Sequence, residues 1–596
     1  MRPVHLRAGI SNTLFEETSV MELNEAAYLD MIGDLQKRNW PASVPAEPRY
    51  PHGEIAISEY LRAWAAAQPD KPAIVFYGTT ISFAELDALS DRFAALLSTH
   101  GVQSGDRVAV MLPNCPQFHI VFYGILKLGA IHVPVNPLFK DQELLYELND
   151  AGARIIVAQD QLVPMVLNVR QRTPVLTVMS TSFADMLPES PTLPVPGSVL
   201  AAKVTYGGTI DLMQALHECT APVPQVRPDL DAPAALNYTG GTTGMPKGCV
   251  HTQRDMIYTA ATTCTIAEFQ PDDIVLNFMS LFWIAGENAG LIFPVFSGNT
   301  LILLARWDPV GVMAAVEKYA VTRLGLLVDN AIEILEHPDA GRYSMRSLRA
   351  TRASSFVKKM NPSVRRQWLA LTGTTIAEAA WGMSETHTCD TFTRGFQGDD
   401  QDLKGQPVFV GLPVPGTRIK ICDFETGALK PVGEEGEIVV KTPSLLKSYW
   451  NKPEATAQSM RDGWFATGDI GVYDEQGCLH FLGRRKEMLK VKGMSVFPTE
   501  LEALLGQHPA VLGSGVIGMD DPDKGQVPVA FVQINPNAGI TEEGLAQWCR
   551  ENMATYKVPL IRFVDQLPMT ATGKVKKFEL ADLLNASGLT TAGDTH

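Results

Sequence analysis

Apolar and polar positions along this chain follow two rhythms, and the switches between them mark the elements. "ISEYLRAWAAAQ" and "FAELDALSDRFAALLSTHG" repeat apolar residues at helical spacing, and the second stops at a glycine placed as a C-cap. Short apolar runs follow, "RVAVMLP", "AIHVPV" and "RIIVAQD", each separated from the next by helix-like sequence such as "PQFHIVFYGILKLG". That alternation predicts parallel strands joined by crossover helices, an α/β architecture. From about residue 400 the texture becomes glycine- and proline-punctuated strands, "GLPVPGTRIKICD", "EEGEIVVKTPS" and "CLHFLGR", which predicts a β-rich subdomain. After "GRRKEMLKVKG" a smaller α+β pattern begins: "TELEALLGQHP" and "TEEGLAQWCRENM" helical, "GSGVIGM", "VPVAFVQI" and "IRFVDQ" extended. The expected organisation is a leader over residues 1–50, a large α/β domain over 51–482, a hinge at 483–486, a small α+β domain over 487–583 and a flexible tail over 584–596.

Length supports the division, because 596 residues exceed what one hydrophobic core supports. The formal charge of −15 argues against wholesale binding to nucleic acid or anionic lipid, so a polyanionic ligand must be met by locally concentrated positive charge. The eight cysteines form no C-x-x-C pair and no cluster with histidine, which fits a reducing cytoplasm and argues against structural disulfides or zinc. The amino terminus lacks the apolar core of a signal peptide. The best candidate for a membrane span, "AGLIFPVFSGNTLILLA", is interrupted by Pro294, Ser297, Gly298 and Asn299, so no transmembrane segment is expected, while peripheral membrane contact stays open.

Chemistry enters at "YTGGTTGMPKG", Tyr238 to Gly248. Glycines let backbone N–H groups converge in a concavity suited to an anion, while Thr239, Thr242 and Thr243 offer hydroxyls and Lys247 a mobile charge. It is not a Walker A loop, since Pro246 precedes the lysine and Gly248 follows it. The bland alternative is a tight surface turn between a strand "AALNY" and a helix "TQRDMIYTAATT". Further along stand "AAWGMSETHT", "GWFATGD", the basic run "GRRKEMLKVKG" and "PMTATGKVKK". Taken singly, each has an ordinary reading: a core aromatic, a turn acid, a solvated basic face, a tail lysine.

Together and in this order the five motifs resemble those of the adenylate-forming superfamily, which includes acyl-CoA synthetases, luciferases and peptide-synthetase adenylation domains; the likeness runs over roughly 55 to 580. The resemblance implies ATP, Mg2+ and coenzyme A as cofactors and a small carboxylic acid as the other partner. It gives Thr239, Gly240, Gly241, Thr242, Thr243 and Lys247 to the phosphates, with Thr243 and Lys247 steadying the leaving pyrophosphate. Ala379, Ala380 and Trp381 go to the base, Ser384 to a hydroxyl position and Glu385 to the metal. Asp469 is assigned to the ribose hydroxyls, Arg484 to ribose or phosphate, Lys486 to the pivot, Lys490 to a second adenylate contact, and Lys492 with Gly493 to the wall past which the thiol arm enters. Lys574 makes adenylation possible. A carboxylate and ATP repel one another, and this inventory of cations answers that repulsion. In the family the small domain turns about its hinge between adenylation and thioester formation, and no cysteine, serine or histidine nucleophile is required.

The sequence departs from the pattern in places. Gly240 replaces a hydroxyl residue common in relatives, and "RASSF", Arg352 to Phe356, replaces a small glycine- and alanine-rich adenine wall, to which Ser354 and Ser355 are still assigned. In "SLFWIAGENAG" Trp283 takes a position often held by histidine, and Trp283 with Gly286 is assigned to the acid pocket. Asp329 and Asn330 in "LLVDNAIEIL" argue against a plain hydrocarbon channel if they face it. The segments look most like bacterial medium- and long-chain fatty-acyl-CoA synthetases. An aryl–CoA ligase, an acyl-AMP ligase loading a carrier protein, a luciferase-like oxygen-using enzyme and a degenerate nucleotide-binding regulator are the alternatives, and a homodimer is left open.

Overall fold

The computed structural model describes residues 24–239, 245–355, 358–378, 381–404, 408–492, 494–522, 524–570 and 574–586. Two seven-stranded sheets dominate the described residues before 400. One runs from the strand Ile376–Glu378 through Ala350–Ser354, Arg323–Leu327, Ile274–Asn277 and Thr300–Leu303 to Pro72–Phe76, all parallel, with Thr79–Ser82 antiparallel at the edge. The other contains the expected apolar runs, Arg107–Met111, Ile131–Pro134 and Ile155–Gln159, as adjacent parallel strands. Such strands are buried on both faces and so read as continuous apolar runs. The helix Pro116–Lys127 is buried at every residue and shares one core with both sheets.

Local signals set several boundaries. The helix Phe83–Thr99 starts at a capping box, in which the Ser82 hydroxyl accepts from Glu85 N and Glu85 accepts from Ser82 N, and it ends just before Gly101, held at φ 78°. One expectation is corrected. The Tyr238–Gly248 loop does not join a strand to a helix: it closes an antiparallel hairpin between Pro233–Tyr238 and Gly248–Thr252, and the helix Gln253–Ile266 follows directly from the cap Thr252. Five mixed residues running into a cap give too short a period to be read as a strand.

An antiparallel sheet follows, with strands between Thr391 and Arg484. Residues 24–50, within the expected leader, include the helix Glu25–Arg38, whose Tyr28 and Ile32 pack with Ile419, Ile421 and Tyr473 of this sheet. Glu25 Oε1 accepts from the Trp464 indole at 3.0 Å. The last strand of that sheet ends at Arg484, and a five-stranded sheet begins at Leu489, covered by the helices Pro498–Leu505 and Glu542–Asn552 around a separate core. Among the described residues no helix is long and apolar enough to cross a membrane.

Candidate active site

A continuous cavity of ≈ 2380 Å³ runs along the strands Ile274–Asn277, Arg323–Leu327 and Ala350–Ser354 to their carboxyl ends, where ligands of open α/β sheets are held, and extends to the small sheet. Single-ligand pockets are typically about 300–1,000 Å³, so there is room for more than one reactant. Thr239, Lys247, Trp283, Gly286, Ser354, Ser355, Trp381, Ser384, Glu385, Asp469, Arg484, Lys486 and Lys574 all line it.

Thr239 and Lys247 close the base of the phosphate-type loop: Thr239 N donates to the Lys247 carbonyl at 2.9 Å, and Lys247 N donates to Thr239 Oγ1 at 3.2 Å. Below them Tyr238 donates to Asp150 Oδ2 at 2.9 Å, and Tyr146 donates to the Pro246 carbonyl at 2.8 Å. Gly240, Gly241, Thr242, Thr243, Ala379, Ala380 and Gly493 lie outside the described residues. The Lys247 ammonium sits 4.0 Å from the Tyr449 ring centroid, and the Tyr449 hydroxyl donates to Glu385 Oε1 at 2.8 Å. One aromatic thereby holds a cation and a carboxylate side by side. Glu385 Oε2 takes no hydrogen bond among the described residues. A carboxyl group with one oxygen anchored and the other unengaged suits a hard cation that draws its remaining ligands from phosphate and water.

Asp469 is 3% exposed. Its Oδ2 accepts from the Trp381 indole N–H at 2.9 Å, while Oδ1 has no hydrogen-bond partner although Arg484 Nε lies at 3.2 Å, close enough for an ion pair but not aligned to donate. Burial raises its carboxyl above the usual range, against the Arg484 charge and the Trp381 hydrogen bond. A buried carboxylate oxygen left without a donor is costly unless a ligand supplies one. A vicinal diol is such a donor.

Lys574 follows Thr570, to which it is tied by Lys574 N donating to Thr570 Oγ1 at 3.0 Å and Thr570 N donating to the Lys574 carbonyl at 2.7 Å. Desolvation, and then Arg484, depress its ammonium; Asp469 and Glu487 act the other way. Arg484, Asp469 and Glu487, the charges that act on this amine, line the same cavity as Lys574. Lys490 and Lys492 do not line the cavity: Lys490 Nζ donates to Ser495 Oγ at 2.9 Å on the outer hairpin of the small sheet. Ser355 Oγ accepts from Met360 N at 3.1 Å, and Asn330 turns its Oδ1 onto Leu327 N at 2.9 Å as a helix cap, so its polarity is partly spent locally.

Sequence reasoning missed the supports behind these groups. His251 Nε2 donates to the Ser384 carbonyl at 2.7 Å; its Nδ1 stands 3.3 Å from Asp255, which Lys447 holds at 2.8 Å. Just after Glu385, three consecutive non-glycine residues, His387, Thr388 and Cys389, adopt left-handed φ of 60°, 66° and 58°. That turn is pinned by Asn288 Nδ2, donating to the His387 carbonyl at 3.1 Å and to Thr388 Oγ1 at 3.2 Å. Asn288 belongs to a π-helical segment, Glu287–Ile292, a widened turn often found at functional sites. Behind it Glu287, fully buried, accepts from Asn237 at 2.9 Å and faces His132 at 3.9 Å and His387 at 3.8 Å. Burial pushes the Glu287 carboxyl up to about 8 and both imidazoles down to about 3, so this cluster is neutral.

Residues 61–450 match the model of the AMP-binding enzyme family, and residues 500–574 match that of the AMP-binding enzyme C-terminal domain. The chain is 33% identical to a long-chain-fatty-acid–CoA ligase of Bacillus subtilis (strain 168), over 91% of this chain and 97% of that protein. Among solved structures it is similar to the anthranilate CoA ligase AuaEII in complex with anthranoyl-AMP (TM-score 0.77, 27% identity, 89% of this chain and 98% of that one). It is likewise similar to ATP-bound MatB from Rhodopseudomonas palustris (TM-score 0.75, 27% identity, 89% and 99%).

Proposed function

The chain belongs to the AMP-binding enzyme family, and from that premise we propose that it is a carboxylate–CoA ligase using ATP and Mg2+. One carboxylate oxygen of the acid attacks the α-phosphorus of ATP, the bond to pyrophosphate breaks, and an acyl-adenylate forms. The thiolate of CoA then attacks the acyl carbonyl and AMP leaves with the bonding pair. Names of relatives such as the long-chain-fatty-acid–CoA ligase support an acid with an apolar body. So do the cavity residues Phe278, Phe282, Trp283 and Phe293. Eight free cysteines support a reducing, cytoplasmic setting.

The observation that carries the reading is the buried Asp469 with an unmet oxygen, gathered with Trp381, Arg484 and Lys574 round one cavity. Asp469 receives the ribose hydroxyls, and the indole beside it lies against the base. Lys247 opposes the charge that grows on the leaving pyrophosphate, and Lys574 bridges the attacking carboxylate and the α-phosphate, so positioning and charge carry the step. Thr242 and Thr243 add hydroxyl donors. Glu385 would hold Mg2+, which when bound neutralises phosphate charge. Thioester formation is assigned to a rotated arrangement of the small domain about 483–486 in which Lys490, Lys492 and Gly493 replace Lys574 at the cavity.

Purified protein incubated with ATP, Mg2+ and a panel of acids, with and without CoA, tests this by pyrophosphate, AMP and acyl-CoA release. Acid-dependent pyrophosphate and CoA-dependent thioester are expected. Pyrophosphate without thioester would mean that the acceptor is a carrier protein, and no turnover on any acid would overturn the reading.

A further inference from the structure

Arg352 is a part of the cavity lining that a plain hydrocarbon does not explain. It sits mid-strand in Ala350–Ser354, half-buried, and lines the cavity. Register places it between Gly325 on one neighbouring strand and Ala377 on the other. Paired residues of parallel strands share a face, so neither neighbour has the bulk to cover or bind a guanidinium. Among the described residues Arg352 makes no hydrogen bond and no ion pair.

Other arginines withdrawn from solvent are satisfied. Arg323 engages Asp273 and the carbonyls of Ala267 and Glu268; Arg365 engages Asp400, Asp402 and the Ile376 carbonyl; Arg62 engages Asp91; Arg107 engages the carbonyls of Ala151 and Gly152. A partly desolvated cation without a partner loses hydration and gains nothing in return, unless a ligand provides the anion.

A second group makes the same demand. Thr263, 4% exposed on the helix Gln253–Ile266, lines the cavity, and its hydroxyl has no hydrogen-bond partner. Thr263 and Arg352 both line this one cavity. A fork of N–H donors and a hydroxyl, both short of an acceptor, together suit a carboxylate.

Depth separates this demand from the reacting end of the acid. Ser354, two residues further along the strand and on the same face, is at its carboxyl end, in the stretch that the family resemblance gives to the adenine wall. Two strand residues rise about 7 Å, so the Arg352 backbone lies that far back along the strand from Ser354.

We propose that the acid activated by this enzyme carries a second carboxylate, remote from the reacting one, and that Arg352, with the Thr263 hydroxyl, receives it. The inference rests on the ligase reading and narrows it: the substrate class is a dicarboxylic acid with an apolar body rather than a simple alkanoate.

The test compares α,ω-diacids with n-alkanoates of matched length, as kcat/KM for pyrophosphate release, in wild type, R352M and R352K. In wild type the diacid is preferred. In R352M the diacid-to-alkanoate ratio falls at least ~30-fold, the scale of losing one partner of a desolvated charge pair, and R352K, keeping charge but not the fork, lies between. Thermal-shift binding of the diacid without nucleotide, present in wild type and lost in R352M, gives the same answer independently of turnover. Alkanoate preference in wild type, or an unchanged ratio in R352M, would overturn the proposal while leaving the ligase reading intact. An R352M defect that appears as a raised KM for ATP on every acid would also overturn it, by giving the arginine to the nucleotide. Absence of turnover with diacid binding intact would instead sink the ligase reading alone.

Discussion

Trp381→Phe isolates a single interaction at the nucleotide end of the cavity. The substitution keeps an aromatic face for the base and removes the indole N–H that reaches Asp469 Oδ2 at 2.9 Å. A hydrogen bond to a charged group contributes about 1.5–3 kcal/mol net, and each ~1.4 kcal/mol is tenfold, so kcat/KM for ATP should fall by about 10- to 150-fold. A second consequence follows from protonation. Burial already holds the Asp469 carboxyl above its ordinary value, and the Trp381 hydrogen bond is one of the influences pulling it back. Without that bond the carboxyl rises further, and since the ribose hydroxyls need the carboxylate form, the acid limb of the ATP profile moves to higher pH. Steady-state pyrophosphate release at saturating acid, measured across pH for both proteins, reads both effects. The KM for the acid should stay within about twofold, because a uniform loss of binding at one substrate need not touch the other. An ATP kcat/KM that is unchanged, a stationary acid limb, or a defect shared equally by the acid would refute the assignment of this indole and carboxylate to the nucleotide.

Removing the amine in Lys574→Ala should lower acid-dependent pyrophosphate release by at least about 10²-fold, the scale of losing one electrostatic group at a reacting centre, while thioester formation from supplied acyl-adenylate and CoA persists; equal loss of both half-reactions counts against domain alternation. Stability against pH should pass through a maximum. His119, His132 and His387 are held by burial at about 4, 3 and 3, below their ordinary 6.5, so the unfolded chain binds protons that the native one refuses and stability climbs as pH rises to about 6.5. Glu287, raised from 4.5 to about 8, keeps a proton that the unfolded chain has lost, so its contribution declines as pH rises through that window. Glu287→Gln retains an acceptor for Asn237 and should shrink the fall in Tm between pH 6.5 and 8; an unaltered fall would show that the carboxyl ionises freely in the folded protein.

Much of the architecture was legible in the sequence because it depends on periods within single segments. The strands Arg107–Met111, Ile131–Pro134 and Ile155–Gln159 are mostly apolar and lie in the parallel sheet that their pattern implies. In the five-stranded sheet after Leu489, the strands Val511–Asp521, Gly525–Ile534 and Leu560–Phe563 follow the extended runs read from the pattern, whereas the short hairpin Leu489–Val491 and Met494–Val496 was not read from it. Gly248–Thr252 escaped because five residues ending in a helix cap carry neither period. At the cavity the residues named by motif were visible, whereas their partners were not: Trp381 meets Asp469 across 88 positions and Glu385 meets Tyr449 across 64. Such pairings are products of tertiary approach, and nothing local in "KSYWN" marks its tyrosine as the anchor of a carboxylate. Arg352 was visible only as a departure from a small-residue wall; its importance came from the glycine and alanine on either side of it, which only strand register reveals.

The left-handed turn at His387 to Cys389 ties two jobs together mechanically. Backbone of that hand costs L-residues roughly 1–2 kcal/mol each, so the turn behind Glu385 keeps its shape only while the amide of Asn288 clasps it. Asn288 in turn is carried by the widened helical segment that lines the cavity where the acid is proposed to sit. Redesigning that wall to admit a different acid therefore tugs on the carboxylate facing the phosphates, and exchange of segment 284–292 between relatives should travel with segment 382–392 if ATP use is to survive the transplant.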